Sequence, residues 1–370
     1  MMNKNLVLSM SAAAMLLING CGSSSSSGTP DKNETIADTF KTIEMDATDA
    51  SKPAKLNLAT GALVDDESWH FAYQKYIGFK TNGGTSGTGE MTACVAKSYP
   101  ALFDSDGKAV EAEFKKMTAT STKSDFEAVK SSDCNSSQLV ADTIKTQIKN
   151  GDWLNADYST GAPVFSASTD SNNSWIIRSA AGDAYARVKV KTVSVVFGAT
   201  TTRKIVLASE KWNGTTFDEA VDSPELDFSS TKVYWDMDSN TIVAKDDAWE
   251  LAISVVGRAY PLQVNGGASG TGKAGIGLVL NGDANTVTDP TNTGQVYKYF
   301  GDEAEGAMSG PGGYGPLEYS VGGNHKMWPT FAVYIIKDGN KRYKAQVLSN
   351  YGADGSLGSG NLFVRYEEIK

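Results

Sequence analysis

NGGTSGTG at residues 82–89 returns as NGGASGTG at residues 265–272. Each copy follows a strand-like segment that contains a tryptophan, Trp69 before the first copy and Trp249 before the second. Glycine tolerates the positive φ angles of tight turns, so such a stretch indicates a sharp connection between strands. The recurrence of one unit along the chain predicts a tandem of two related β domains.

Alternation of apolar and polar residues around both tryptophans is the pattern of a β-strand with one buried face. The alternation puts His70 on the face opposite Trp69, where we expect it to be solvated. Both repeats also close in the same way, with a strand, a turn and a strand at residues 175–190 and 333–347. The predicted fold class is therefore all-β.

One stretch of the first repeat has helical rather than β character. The predicted helical segments are residues 110–117, 124–129 and 139–149, which together form a small insertion. Proline and charge interrupt the strands just after residue 222. We therefore expect a first domain over residues 45–222 and a second over residues 226–370.

The beginning of the chain has the features of an export signal. A basic residue precedes the apolar run of residues 6–18, which is too short to span a bilayer. Cys21 follows the small residue Gly20, as in a lipobox, so we expect residues 1–20 to be removed and Cys21 to be lipidated. An ordinary signal peptide with an incidental cysteine is the alternative. Residues 21–44, which begin with a run of glycine and serine, would form a tether. Glycine rather than aspartate at position 22 favours sorting of the lipoprotein to the outer membrane.

Net charge and cysteine content limit the possible partners and the compartment. The formal charge is −9, which argues against nucleic acid as a partner because phosphate binding needs a basic surface. Membrane contact is expected only through the lipid anchor. The two other cysteines, Cys94 and Cys134, are predicted to form a disulfide, which an exported protein can keep.

Motifs that suggest an enzyme or a cation site are each incomplete in this sequence. Lys273 ends a stretch similar to a phosphate-binding loop, but the equivalent residue of the first repeat is Glu90. Residues 236–240 begin like a calcium loop, yet Thr241 replaces the glycine that the loop requires. With only two histidines in the chain, catalytic triads have few possible members. We expect no enzymatic activity.

The order of these segments resembles the HmuY-like family of haem-binding outer-membrane lipoproteins. The resemblance rests on the Trp strands at residues 68–73 and 248–253, the glycine-rich stretches, the closing hairpins and the terminal aromatic strand at residues 362–366. It implies two HmuY-like β domains that bind haem without turnover. It also implies a role in haem capture, with delivery to a TonB-dependent receptor.

The resemblance also suggests where the iron ligands lie. Counting to the family's histidine position reaches Tyr158 in the first repeat and Val321 in the second, so histidine is absent from both. Histidine, methionine and tyrosine can each be axial ligands of haem. The candidate ligands are His325 with Met308 or Met327 in the second repeat, or Tyr158 in the first.

Two functional classes remain open at this point. The first is a lipoprotein that captures haem in an apolar slot. Because haem carries two propionates, this function predicts a basic residue such as Lys326 or Arg258 near the opening of the slot. The second is a surface binding or adhesion module that kept the fold without iron ligation, because fold alone does not fix function.

Overall fold

Alternating segments of the sequence form strands throughout the structure, and the predicted all-β class is confirmed. The computed structural model describes residues 39–159 and 161–370. The predicted signal peptide, Cys21 and most of the tether lie outside the described residues. Among the described residues, no helix is both long enough and apolar enough to cross a bilayer.

Short helices are few, and strands make up most of the secondary structure in this part of the chain. The α-helices are α1 (Glu111–Phe114), α2 (Lys123–Ala128) and α3 (Asn150–Trp153). Short 3₁₀ helices span Pro100–Leu102, Ser131–Asp133, Ala284–Thr286, Ala307–Ser309 and Val321–Gly323. The strands are β1 (Lys41–Asp46), β2 (Ala54–Asn57), β3 (Ala62–Leu63), β4 (Phe71–Gln74), β5 (Gly78–Thr81), β6 (Thr92–Lys97), β7 (Thr143–Lys145), β8 (Leu154–Asp157), β9 (Val164–Ala167), β10 (Trp175–Arg178), β11 (Tyr185–Val196), β12 (Thr202–Lys211), β13 (Val221–Asp222), β14 (Leu226–Asp227), β15 (Val233–Asp236), β16 (Thr241–Val243), β17 (Leu251–Ile253), β18 (Leu262–Val264), β19 (Gly275–Val279), β20 (Val296–Phe300), β21 (Glu303–Glu305), β22 (Leu317–Tyr319), β23 (Met327–Pro329), β24 (Val333–Asp338), β25 (Lys341–Ser349) and β26 (Asn361–Ile369).

Two four-stranded sheets share one strand order, β3-β2-β4-β5 in the first half and β16-β15-β17-β18 in the second. Buried Trp69 lies just before β4, and buried Trp249 lies just before β17. The glycine-rich stretches follow β5 and β18. In each stretch an asparagine Oδ1, from Asn82 or Asn265, accepts a backbone N–H seven residues ahead at 3.0 Å. The two stretches therefore have the same local structure.

Close approach of two backbones explains the glycines in these stretches. A Cβ at Gly84 would lie 1.9 Å from the Asp142 carbonyl oxygen, and one at Gly267 would lie 2.0 Å from that of Asp302. Their φ angles, 61° and 65°, also favour glycine. The stretches thus serve as connections between strands.

The closing strands of each predicted repeat pair with strands of the other repeat. At the end of the chain, β24, β25 and β26 complete the five-stranded sheet β1-β26-β25-β24-β6. The earlier strands β10, β11 and β12 lie in the seven-stranded sheet, where β10 pairs with β19 and β12 pairs with β13 and β14. In the five-stranded sheet the closing strands lie between β1 and β6 of the other half, and in the seven-stranded sheet they lie between β19 and β14 of the other half, with β13 of their own half beside β14.

The two largest hydrophobic clusters of the described residues reflect this exchange. The first packs side chains from residues 45–93 against others from residues 308–366, and the second lies within residues 148–264. Residues 39–370 form one compact unit. This interleaved arrangement differs from the sequence-based division at residue 222, because strand signals in a sequence are local whereas strand pairing is not.

The insertion after β6 is partly helical and lies on the five-stranded sheet. Two of its predicted segments contain α1 and α2, but the third, residues 139–149, was wrongly predicted as helical. It contains β7, which pairs with β21 across Ile144 and Ala304. β-branched residues in that segment suit a strand better than a helix.

A disulfide and three buried or half-buried cations hold the insertion to the sheet. Cys94 on β6 and Cys134 after α2 form the predicted disulfide. Side chains of β25 and β26 donate to carbonyl oxygens of the insertion: Arg342 to Cys134 (2.9 Å), Lys344 to Glu127 (3.2 Å) and Arg365 to Ala119 (3.1 Å). The sheet face opposite the first core is therefore covered.

The prediction that His70 is solvated was wrong, since the residue is only 2 % exposed. The ends of β24 and β25 cover this second face, where the Tyr343 ring packs edge-on against the imidazole with centroids 4.9 Å apart and Asp338 Oδ2 lies 3.4 Å from His70 Nε2. Glu250, at the equivalent place before β17, is buried as well. Both faces of these strands are covered, so alternation does not separate buried from exposed residues here.

Candidate functional site

The hairpin of β22 and β23 presents the polar and aromatic groups that most resemble a ligand site. Its strands pair antiparallel, with Tyr319 opposite Met327. The loop between them is tight, because Ser320 and His325 have φ angles of 57° and 55° and two glycines have positive φ as well. The Ser320 backbone N–H donates to the Lys326 carbonyl at 2.7 Å and closes the loop.

The inner side of this loop is fixed by the insertion. Val321 is buried with Leu102 and Phe114, and Trp328 packs on the same cluster. The Phe114 and Trp328 rings meet edge to face at 6.3 Å, and the Trp328 indole donates to Asn324 Oδ1 at 3.1 Å. The loop is thus held on one side, and its other side is exposed.

A tyrosine–histidine pair lies on that outer side. Tyr319 Oη and His325 Nδ1 are 3.1 Å apart and share a hydrogen bond. Tyr319 is 43 % exposed, and His325 is exposed too. The exposed Tyr314 ring packs edge-on against Tyr319 with centroids 6.2 Å apart. We call Tyr314, Tyr319, His325 and Lys326 the tip site.

Of the four predicted ligand residues, only His325 belongs to the tip site. Met308 is 2 % exposed and packs in the first core, so its sulfur is not available to a ligand. Met327 is half-buried against the same core, and its backbone N–H donates to Tyr351 Oη at 2.9 Å. Tyr158 is exposed and follows β8, in a different hairpin.

That second hairpin, β8 with β9, is closed by a backbone hydrogen bond like that of β22 with β23. In the first, the Ser168 N–H donates to the Trp153 carbonyl at 2.8 Å, and in the second the Thr330 N–H donates to the Pro316 carbonyl at 2.9 Å. The sequence count that reached Tyr158 from Trp153 therefore compares two hairpins that are closed in the same way. It missed Tyr319, because that residue lies on the strand rather than in the loop.

The predicted basic residues lie in different places. Lys326 belongs to the tip site, and its Nζ lies 5.9 Å from the centre of the Tyr351 ring. Arg258 is exposed in the turn between β17 and β18. The nearest acidic side chain of the hairpin, Glu318, accepts the Gly313 N–H at 2.6 Å. Lys326 is therefore the cation that this hairpin itself provides.

An acidic cluster elsewhere has a structural explanation. Asp236, Asp238 and Glu250 bring carboxylate oxygens within 4.8 Å of one another. However, both Glu250 oxygens accept backbone N–H groups, from Ala180 at 2.7 Å and Met237 at 2.6 Å. Burial raises the pKa of Glu250 to about 7. The Glu250 carboxylate thus serves the fold.

A cavity of about 310 Å³ lies between β10, β19 and residues 282–284. Its wall mixes polar side chains such as Asp152 and Asp283 with apolar ones such as Trp175, Ile176 and Leu278. None of the four predicted ligand residues lines it. It therefore does not provide the apolar slot that the sequence suggested.

Comparison with known proteins adds one finding. Residues 33–205 match the family model described as HmuY protein. This range runs from just before β1 into β12 and includes the hairpin of β8 and β9, whereas the tip site lies beyond it. No curated protein matches the chain.

Proposed function

Residues 33–205 belong to the HmuY family, a family of haem-binding proteins, and from this premise we propose that the chain binds haem at the tip site. The family match covers the hairpin of β8 and β9, and the tip site occupies the hairpin of β22 and β23. The proposal therefore transfers the family's ligand between two hairpins of one chain that are closed in the same way.

The observation that carries the proposal is the hydrogen-bonded pair of Tyr319 and His325. A phenol oxygen and an imidazole nitrogen are both known axial ligands of haem iron, so the chemistry of this donor pair fits the group. Both side chains are exposed, and the loop beneath them is fixed by Val321 and Trp328. A site whose backbone is already ordered loses little entropy on binding.

Other residues of the tip site suit the rest of a haem molecule. The Tyr314 ring offers an exposed aromatic surface beside Tyr319, and flat apolar groups pack well on such rings. Lys326 offers an ammonium group for a propionate. Bound haem would supply an iron centre that a side chain of the tip site could ligate. Since the site is open, the fit is to a surface shelf rather than to an enclosed slot.

The wider role that we propose is haem capture at the outer membrane. A lipid on Cys21 and the tether that follows would hold the folded part near the membrane. Captured haem would then pass to a TonB-dependent receptor, and no enzymatic step is part of the proposal. Both elements rest on the sequence interpretation and on membership of the family.

Haemin titration of the full chain carrying Cys21→Ser tests the proposal without the lipid. We expect a Soret shift that saturates near one haemin per chain. His325→Ala should weaken binding, and Tyr158→Phe in the hairpin of β8 and β9 should leave it unchanged. Absence of a Soret shift at micromolar haemin would contradict the proposal and favour the adhesion module.

A further inference from the structure

The tip site contains two possible iron ligands, but their mutual hydrogen bond gives them different tasks. Resting on the proposed function, we infer that Tyr319 Oη contacts the iron and that His325 is a positioning residue that accepts the phenol proton. The sequence interpretation named His325 as the ligand, so the assignment of Tyr319 is new.

Rigidity favours Tyr319 as the residue that touches the iron. Tyr319 ends strand β22, and its backbone is paired with Met327 across the hairpin. His325 lies in the loop with a φ angle of 55°, held through its own N–H by Ser320 Oγ at 3.2 Å. Ligands on strands are held more precisely than ligands on loops. The strand residue is thus the better fixed donor.

Surroundings also favour Tyr319. The Tyr314 ring packs against Tyr319, so the aromatic surface that could support a macrocycle lies beside the phenol. The Cys94–Cys134 disulfide is typical of an oxidising compartment. Free haem there is in the ferric state, a hard cation that prefers an anionic oxygen donor. A phenolate is such a donor, and tyrosine ligation of haem is known.

His325 has a defined task in this arrangement. Its Nδ1 lies 3.1 Å from Tyr319 Oη, within reach of the phenol proton. If Tyr319 held the iron through its phenol oxygen, the phenol proton would pass to His325 Nδ1, so the proton would be conserved and no electron transferred. The N–H of His325 would then donate to the Tyr319 oxygen and keep its orientation.

The experiment compares Tyr319→Phe, His325→Ala and the matched control Tyr297→Phe, an exposed tyrosine on β20 outside the tip site, each in the full chain with Cys21→Ser. Haemin-loaded wild type should show the visible charge-transfer band of a phenolate–iron contact. Tyr319→Phe should lose that band. His325→Ala should keep the band but bind haemin about 10–100-fold more weakly, as expected for loss of a residue that supports a ligand. Tyr297→Phe should keep both the band and the wild-type affinity.

The outcomes separate this inference from the proposed function. If wild type binds haemin but Tyr319→Phe has the wild-type spectrum, the inference is overturned and haem binding stands. If His325→Ala alone changes the ligand spectrum, His325 is the ligand. If wild type gives no Soret shift, both the proposed function and the inference fall. Far-ultraviolet circular dichroism of each variant checks that the fold is retained.

Discussion

His70 and Glu250 occupy the same position in the two four-stranded sheets and accept the same backbone hydrogen bond. The Leu58 N–H donates to His70 Nδ1 at 3.2 Å, and the Met237 N–H donates to Glu250 Oε2 at 2.6 Å. Both side chains are buried, yet one is a base and the other an acid. Their protonation should therefore affect stability in opposite directions as pH falls.

Burial lowers the pKa of His70 below its usual 6.5, and Asp338 only partly opposes this effect. The unfolded chain then takes up this proton more readily than the folded one, so the free energy of unfolding falls as pH drops below about 6.5. We expect His70→Gln to remove this loss of stability at low pH. Urea unfolding of wild type and of His70→Gln at a series of pH values measures the free energy of unfolding. The prediction would be contradicted if that free energy fell equally with pH in the two proteins.

Burial of Glu250 has the opposite sign, because it raises the pKa from 4.5 to about 7. The free energy of unfolding should decrease as pH rises through this window, by an amount of order 3 kcal/mol. Glu250→Gln should flatten that part of the plot of unfolding free energy against pH. The same change places the NH2 group of glutamine against one of the two backbone N–H donors, which lowers stability equally at every pH. The same unfolding series tests this, and a slope that survives in Glu250→Gln would argue against it.

Loss of the Cys94–Cys134 disulfide should destabilise the insertion. A bridge of this kind contributes about 2–4 kcal/mol, mainly by restricting the unfolded chain. We expect the double variant Cys94→Ser/Cys134→Ser to lose that amount in denaturant unfolding. Thiol labelling of the unreduced, denatured protein should find neither cysteine free. Two labelled thiols would show that the bridge is absent.

The exchange of closing strands can be tested by engineered disulfides. Glu44 on β1 pairs with Phe363 on β26, so Glu44→Cys/Phe363→Cys should cross-link within one chain. The matched control is Glu44→Cys/Val206→Cys. Val206 is the position on β12 that corresponds to Phe363 on β26, because each residue lies next to a register shift in the pairing with the preceding strand. Mass spectrometry after oxidation identifies the link. If only the control pair formed a cross-link, β1 would pair with β12 of its own predicted repeat and not with β26.

Lipidation of Cys21 remains a prediction from the sequence. We expect the wild-type protein to fractionate with the outer membrane and Cys21→Ser to be released from it, because a tether without a lipid has no anchor. Immunoblots of membrane and soluble fractions measure this. A Cys21→Ser protein that stays wholly in the outer-membrane fraction would require another attachment.

Local features of the fold could be predicted from the sequence, and long-range ones could not. Hairpins such as β2 with β3 and β15 with β16 follow from turn residues between apolar strands. The exchange of closing strands did not follow, because β10 and β24 have such similar patterns that either could pair with β6 or β19. Burial of His70 was missed because alternation assumes that one face of a strand is open.

The candidate site shows the same limit. His325 could be singled out because histidine is rare in this chain and lies in a glycine-rich loop. Tyr319 is one of 15 tyrosines and sits in an ordinary strand, so nothing in the sequence separates it from the others. Only the 3.1 Å contact with His325 identifies it. Pairing across a hairpin tip depends on loop geometry, which sequence spacing does not determine.

The pairing of β1 with β26 also has a consequence for the order of folding. The first strand of the described chain depends on its last strand, a segment of nine residues that ends at Ile369. During synthesis the first sheet therefore stays incomplete until the chain has been made as far as β26. Contacts between such distant segments give a high contact order and slow folding. A chain that completes its fold late remains extended for longer, which is the state that a protein-conducting channel accepts.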